Sequence, residues 1–267
     1  MSEIVYPPVI LAAKGMFKAL GMRFRIEGYE NIPATGGAVI SSNHVSYLDF
    51  IFVGLGANPA RRLVRFMAKK EVFDHKISGP LMRGMKHIPV DRENGASSYI
   101  AALKALKAGE CVGVFAEATI SQSFTVKEIK SGAVRMAMAS GTPLIPVAVW
   151  GEQRMWTKGR PRKILQRGVD ITILIGEPMH VTRKDDATEV AERLRAKMQE
   201  LLDKAQREYP VDGKGQWWQP RHLGGTAPTF EEAEALDAAE AEEKARRRAL
   251  REAEAARTEA ATDKPAE

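Results

Sequence analysis

His44 and Asp49 are the residues whose types and spacing most directly suggest chemistry. They lie in Asn43-His44-Val45-Ser46-Tyr47-Leu48-Asp49, which follows the apolar run Ala38-Val39-Ile40-Ser41-Ser42. An imidazole beside a carboxylate can move a proton near neutral pH. On a continuous helix, residues three or four apart share a face, whereas residues five apart are about 140° out of line. The pair therefore needs a turn, with His44 at the mouth of a strand and Asp49 inside the following helix. There the carboxylate accepts a hydrogen bond from one ring N–H, fixes the tautomer and leaves the other nitrogen as a base. Ser46 is the expected N-cap of that helix. No G-x-S-x-G accompanies the pair, and Cys111, inside Cys111-Val112-Gly113-Val114-Phe115, is expected to be a small core residue. The chemistry implied is direct deprotonation of a bound hydroxyl, with no covalent enzyme intermediate.

Three further blocks follow: Gly84-Met85-Lys86-His87-Ile88-Pro89-Val90-Asp91-Arg92, then Val114-Phe115-Ala116-Glu117-Ala118-Thr119-Ile120-Ser121, then Leu144-Ile145-Pro146-Val147-Ala148-Val149. Phe66-Met67-Ala68-Lys69-Lys70-Glu71-Val72-Phe73 precedes them. Together the blocks, over about residues 20 to 180, resemble the PlsC-type glycerolipid acyltransferases, the lysophosphatidic acid acyltransferase family. That family shows N-H-x-x-x-x-D, G-x-x-x-I-x-R, F-P-E-G-T-R-S and a V-P-V-like strand. The third block departs from it: Ala116 stands for Pro, Ala118 for Gly and Ile120 for Arg. This E-A-T-I-S form looks like a distinct bacterial branch similar to PlsM-like enzymes.

The resemblance implies acyl transfer from a fatty acyl thioester to the free hydroxyl of 1-acylglycerol 3-phosphate, giving phosphatidic acid. His44 would be the base and Asp49 its orienting partner. Arg92 would grip the acceptor phosphate, with Lys70 beside it. Glu117 and Thr119 would hold glycerol hydroxyls or shape the pocket, and Lys130, Lys127 or Arg135 would compensate for the missing arginine. Glycerol 3-phosphate or another lysophospholipid stays open as acceptor, as does a non-catalytic lipid-binding protein on the same fold. The co-substrate would be acyl-CoA or an acylated acyl carrier protein. The oxyanion would be met by backbone N–H groups, either near the third block or at the helix start after His44.

Composition bounds the partners. The 267 residues carry a net charge of +6. From Thr229 onward there are seven Lys and Arg against twelve Asp and Glu, so the body before it carries +11. A basic body suits an anionic membrane surface and phosphate-bearing substrates. Nucleic acid is not expected, because no recognition motif or aromatic interleaving accompanies the charge. His75, His87, His180 and His222 lack ligand spacing, so no metal is expected. With a single cysteine no internal disulfide forms, and no signal peptide or run of about 18 apolar residues occurs. Attachment is expected to be peripheral, at the cytoplasmic face of the cell membrane.

These groups must be positioned by an α/β fold. Strands are expected at 24–27, 38–42, 64–68, 87–90, 112–115, 144–150 and 169–175. Helices are expected at 9–20, 47–55, 77–83, 96–107, 132–139 and 187–208. Their alternation argues a mixed, largely parallel sheet flanked by helices, with ligands beyond the strand C-termini. Residues 1–22 form an amphipathic helix that either lies in a membrane interface or packs on the core. Residues 23–209 form the acyltransferase domain. Residues 210–228, with Trp217 and Trp218, wrap back on the body or anchor at lipid. Residues 229–267 are a charged tail, helical or disordered.

Overall fold

Apolar residues alternate sides along the central strands, and this alternation builds two cores on one sheet. The computed structural model describes residues 3–91 and 95–262. Successive side chains of a strand point to opposite faces. Val39, Val112, Leu144 and Leu174 thus meet one set of helices, whereas Ile40, Cys111, Ile145 and Ile173 meet the other.

The strands are β1 Arg23–Glu27, β2 Ala38–Ser42, β3 Val64–Lys69, β4 Ile88–Val90, β5 Cys111–Val114, β6 Leu144–Trp150 and β7 Asp170–Ile175. Their spatial order is β1-β7-β6-β2-β5-β3-β4, parallel throughout except for the antiparallel pair β6–β7. All seven expected strands form, within a residue or so of the expected ends.

The helices are α1 Tyr6–Ala19, α2 Asp49–Ala57, α3 Lys70–Asp74, α4 Ser78–Gly84, α5 Gly95–Lys107, α6 Gly132–Ser140, α7 Ala187–Arg207 and α8 Phe230–Thr262. α3 is the one not anticipated; it is a single turn directly after β3, too short for periodicity to register. α5, α6 and α7 cover the Val39 face, while α1 and α2 cover the Ile40 face. α7 shows its logic plainly. Asp186 caps it by accepting from Thr188 and Glu189 N–H at 2.7 and 3.1 Å, and Val190, Leu194, Met198 and Leu202 form its buried stripe.

α1 buries Tyr6 and Phe17, while Leu11 and Met16 stay exposed beside Lys14 and Lys18. Residues 210–228 lie against the body: Trp218 is buried against Tyr209, and Trp217 meets Phe124. Arg154 and Arg160 stack over these two rings, and Arg162 stacks over Trp156. Much of the basic run at 154–163 is therefore engaged within the molecule.

The tail begins as a docked helix. Asp237 of α8 pairs with Lys127 and with Lys158 at 2.5 Å, and Lys158 also reaches Glu240 at 2.6 Å. Lys127, Lys158 and Asp237 are each less than a fifth exposed, so the carboxylate neutralises two largely desolvated cations. Asp237→Ala is expected to lower stability by about 1–2 kcal/mol. A urea titration at neutral pH, set beside that of wild type, reads this directly.

Candidate active site

Three adjacent parallel strands end at the site. β5, β2 and β6 lie side by side, and Glu117, His44 and Glu152 each follow the C-terminal end of one of them. This is the edge of an open α/β sheet where ligands bind. Asn43 ends β2 by extending its ladder onto β6: its side chain accepts from Val149 N–H at 2.8 Å and donates to Val149 C=O at 3.0 Å. The chain then turns, and His44 emerges.

His44 and Asp49 meet across that turn. His44 Nδ1 lies 2.7 Å from Asp49 Oδ2, which also accepts the N–H groups of Val45 at 2.9 Å and Ser46 at 3.1 Å. Asp49 is the first residue of α2 and is buried. An oxygen receiving two backbone donors is an acceptor for the third as well, so Nδ1 carries the proton and Nε2 is the free base. Ser46 does not cap α2 directly, because the helix begins three residues beyond it. Its hydroxyl instead accepts Leu48 N–H at 3.0 Å and donates to Trp156 C=O at 2.6 Å.

The third block clasps His44 from the other side. Glu117 Oε1 accepts His44 N–H at 2.7 Å, Glu117 Oε2 accepts Lys127 N–H at 2.9 Å, and Ser121 N–H donates to His44 C=O at 2.7 Å. The buried Glu117 carboxylate thus holds the backbone that carries the base. Phe115 stacks on the imidazole at 4.6 Å. The segment after β6 completes the grip: Thr157 donates to Val45 C=O at 2.6 Å, and Tyr47 N–H donates to Trp156 C=O at 3.2 Å. Val45, Ser46, Tyr47 and Leu48 N–H all have acceptors, so this turn offers no ready oxyanion donor.

The other sequence-nominated residues are spread around this centre. Thr119 accepts from Lys127 Nζ at 2.9 Å, and Lys127 is itself held by Asp237. Lys70 faces Asp91 at 3.9 Å on an exposed edge lined also by Arg83 and His87. Lys130 is exposed, its backbone N–H bonded to Ala116 C=O. Arg92 lies outside the described residues. Ile120, where the family has arginine, is buried, so this position presents no cation to a substrate. Lys69, at the end of β3, acts electrostatically on His44. The roles of Ser121, Phe115, Thr157 and Glu152 leave no local spacing to read in the sequence, because their contacts are made across the C-terminal edge of the sheet.

Ala118 adopts φ +62°, the left-handed region, at the position where the family carries Gly. That conformation costs an L-residue about 1–2 kcal/mol, part of which glycine returns as greater freedom of the unfolded chain. Ala118→Gly should therefore raise stability by about 0.5–1 kcal/mol, measurable as a higher urea midpoint at unchanged slope.

Burial sets the charge states. It pushes His44 down to about 4, against the pull of Glu117, and Lys69 adds to the fall, so the ring is neutral at pH 7. Burial raises Glu117 to about 7, opposed by its two backbone donors and by His44 and Lys127. His87, whose Nδ1 accepts Phe66 N–H at 3.0 Å, is also lowered to about 4, by burial and then by Arg65. Between the ordinary imidazole value near 6.5 and about 4, the unfolded chain binds a proton at His87 that the folded chain refuses. Stability from this group is therefore full above that window and falls as pH drops through it. His87→Asn keeps an acceptor at the Nδ1 position, and its stability should fall less than that of wild type between pH 7 and pH 5.

A neutral imidazole oriented by a buried carboxylate at the C-terminal end of a strand, with no exposed thiol or activated serine beside it among the described residues, defines a site able to deprotonate a hydroxyl for group transfer. Residues 23–150 match a family model described as Acyltransferase. The chain is 32% identical over 206 residues to the 1-acyl-sn-glycerol-3-phosphate acyltransferase of Bacillus subtilis (strain 168), covering 73% of this chain and 93% of that one. It is 29% identical to the chloroplastic 1-acyl-sn-glycerol-3-phosphate acyltransferase LPAT1 of Arabidopsis thaliana, spanning 68% of this chain and about half, 49%, of that protein. The crystal structure of the 1-acyl-sn-glycerophosphate acyltransferase PlsC from Thermotoga maritima shares the fold, with a TM-score of 0.65 at 22% identity over 77% of this chain and 81% of that one. The protein is an acyltransferase. It belongs to the family of the PlsC-type 1-acyl-sn-glycerol-3-phosphate acyltransferases.

Proposed function

We propose that this enzyme transfers a fatty acyl group from a thioester to the free hydroxyl of 1-acylglycerol 3-phosphate, forming phosphatidic acid. The observation that carries this reading is the His44–Asp49 pair, with Nε2 free, Cys111 buried and the Ser46 hydroxyl already donating to Trp156 among the described residues. The thioester is already activated. His44 Nε2 takes the acceptor proton as the oxygen attacks the carbonyl, and Asp49 stabilises the imidazolium that forms. The thiolate leaves as the C–S bond breaks and takes from His44 the proton removed from the acceptor hydroxyl. Cys111 is fully buried with its pKa raised by burial, and Ser46 already donates to Trp156, which supports direct transfer. The donor is acyl-CoA or an acylated acyl carrier protein, and no further cofactor is needed. Lys70 and Arg92 are the phosphate-binding candidates, with Lys130 a further cation beyond the third block.

A lipid substrate suits the surroundings. An apolar groove of about 80 Å³ between α1 and α2 is lined by Tyr6, Val9, Ile10, Phe17, Phe50 and Met85. His87 joins that groove to the ring series Phe66, Phe115 and His44, with neighbouring centroids 5.7, 6.1 and 4.6 Å apart. Among the described residues no helix is long and apolar enough to cross a membrane. Exposed Leu11 and Met16 on α1 beside Lys14 and Lys18, and exposed Val72, Ile77 and Leu81 near Lys70 and Lys76, support peripheral seating on an anionic cytoplasmic membrane face.

The test is thiol release from palmitoyl-CoA with 1-acylglycerol 3-phosphate or glycerol 3-phosphate as acceptor. Release with the lyso acceptor, and phosphatidic acid as product, upholds the reading. Release with glycerol 3-phosphate alone moves the enzyme to the first acylation. Lipid binding without turnover for any acceptor or donor carrier would replace it with the lipid-binding alternative.

A further inference from the structure

Behind Asp49 lies a second carboxyl that this mechanism has not used. Glu152 is fully buried in the helical turn Glu152–Arg154 that follows β6. Gly151 places it there: its φ is +116°, and a Cβ would stand 2.1 Å from Asp170 C=O, so no other residue allows this turn. The Glu152 carboxyl neighbours that of Asp49, both fully buried, and the two influence each other's ionisation. Asp49 Oδ1 and both Glu152 oxygens are buried without a hydrogen-bonding partner of good geometry among the described residues. Two neighbouring buried carboxyls with three oxygens left without a well-placed donor are expected to share a proton, because two adjacent anions would repel in a desolvated site. Asp49 Oδ2 already holds Val45 N–H, Ser46 N–H and the His44 ring proton, which favours the anion on Asp49. The shared proton therefore belongs on Glu152.

We propose that Glu152 is a positioning residue for the His44–Asp49 pair, donating its carboxyl proton to Asp49 Oδ1 and holding Asp49 Oδ2 toward His44. Glu152 acts through Asp49 and touches no substrate. Its activity arm rests on the acyl-transfer reading above. Burial and the neighbouring Asp49 raise Glu152 well above the usual carboxylate range, in keeping with its role as donor. The charged or titratable groups facing this pair are His44 from the end of β2, Glu117 from the third block and Tyr209 after α7, with Arg154 bound to the Tyr209 hydroxyl at 2.9 Å. Glu117 disfavours a second negative charge on Asp49, and Asp49 disfavours one on Glu152, so both influences favour keeping the shared proton.

Glutamine at 152 retains a donor but cannot ionise, whereas alanine removes the donor. With palmitoyl-CoA and the acceptor that wild type uses, Glu152→Ala should lower kcat about 10–100-fold at little change in KM, the usual cost of losing an outer partner of an oriented imidazole. Glu152→Gln should restore kcat to within about threefold of wild type and abolish the alkaline fall caused by loss of the shared proton. An activity-independent readout is the His44 Nδ1–H proton resonance, assigned with His44→Ala. It should be strongly downfield in wild type and Glu152→Gln, and lost or moved upfield in Glu152→Ala. Equal resonances in all three proteins would overturn the proposal. So would equal kcat values and an alkaline limb unchanged in Glu152→Gln. If Glu152→Ala does not fold, the Glu152→Gln pH profile and resonance decide alone. Should wild type transfer no acyl group at all, the acyl-transfer reading fails while the resonance still tests the coupling.

Discussion

His44→Ala loses acyl transfer by about 10²–10⁴-fold in kcat, the contribution of one positioned general base. The geometry requires that the loss fall on kcat. Nε2 is the only ring atom left to meet the acceptor proton, since Nδ1 is bound to Asp49. Lys70 and Arg92, the proposed phosphate-binding residues, are unchanged in this variant, so KM should change little. Folding should survive, because the His44 side chain is partly exposed and its backbone is held by Glu117 and Ser121 through N–H and C=O, which alanine keeps. Thiol release and a thermal melt on the same preparation check both halves. An unchanged kcat would remove His44 from the mechanism.

Asp49→Asn is expected to be almost as severe, at about 10²–10⁴-fold in kcat, with the larger figure seen when the analogous aspartate of a Ser-His-Asp triad becomes an amide. Oδ2 of Asp49 accepts three donors at once: the His44 ring and the N–H groups of Val45 and Ser46. If the amide oxygen takes that place, the bonds to the turn persist, but the negative charge that stabilises imidazolium is gone. If the amide nitrogen takes it, His44 must present a lone pair at Nδ1, and Nε2 then carries a proton and cannot act as base. Either arrangement stops the proton transfer. Stability should drop less than activity, and a circular dichroism melt beside the kinetic assay separates the two. A variant with wild-type kcat would show that orientation by this carboxylate is dispensable.

Neighbouring residues differed in how much the sequence said about them. The strands were legible because their faces alternate or are apolar throughout, as in Leu144–Trp150. His44 and Asp49 were legible because the turn joining them is local, five residues long. α3 was not, since one turn carries no periodicity. The inward role of Glu117 was also hidden, because its two N–H partners belong to His44 and Lys127, 73 and 10 residues away. Lys127 was nominated for a phosphate, but Asp237 of the tail helix holds it. The arginine missing at Ile120 was visible, whereas the burial of Ile120 was not.

By itself, then, the sequence determined the order of strands and helices, the pair able to move a proton, and the family to which the four blocks point. Those properties rest on short-range periodicity and on residue identity. Only the tertiary structure decided which nitrogen of His44 is free, that Glu117 orients backbone, and that Glu152 stands behind Asp49. The last two depend on strands β5, β2 and β6 ending side by side, an adjacency that sheet pairing creates between residues from 73 to more than a hundred positions apart. Hydrogen bonds and desolvation act over a few ångströms of space, and distance along the chain carries no trace of them.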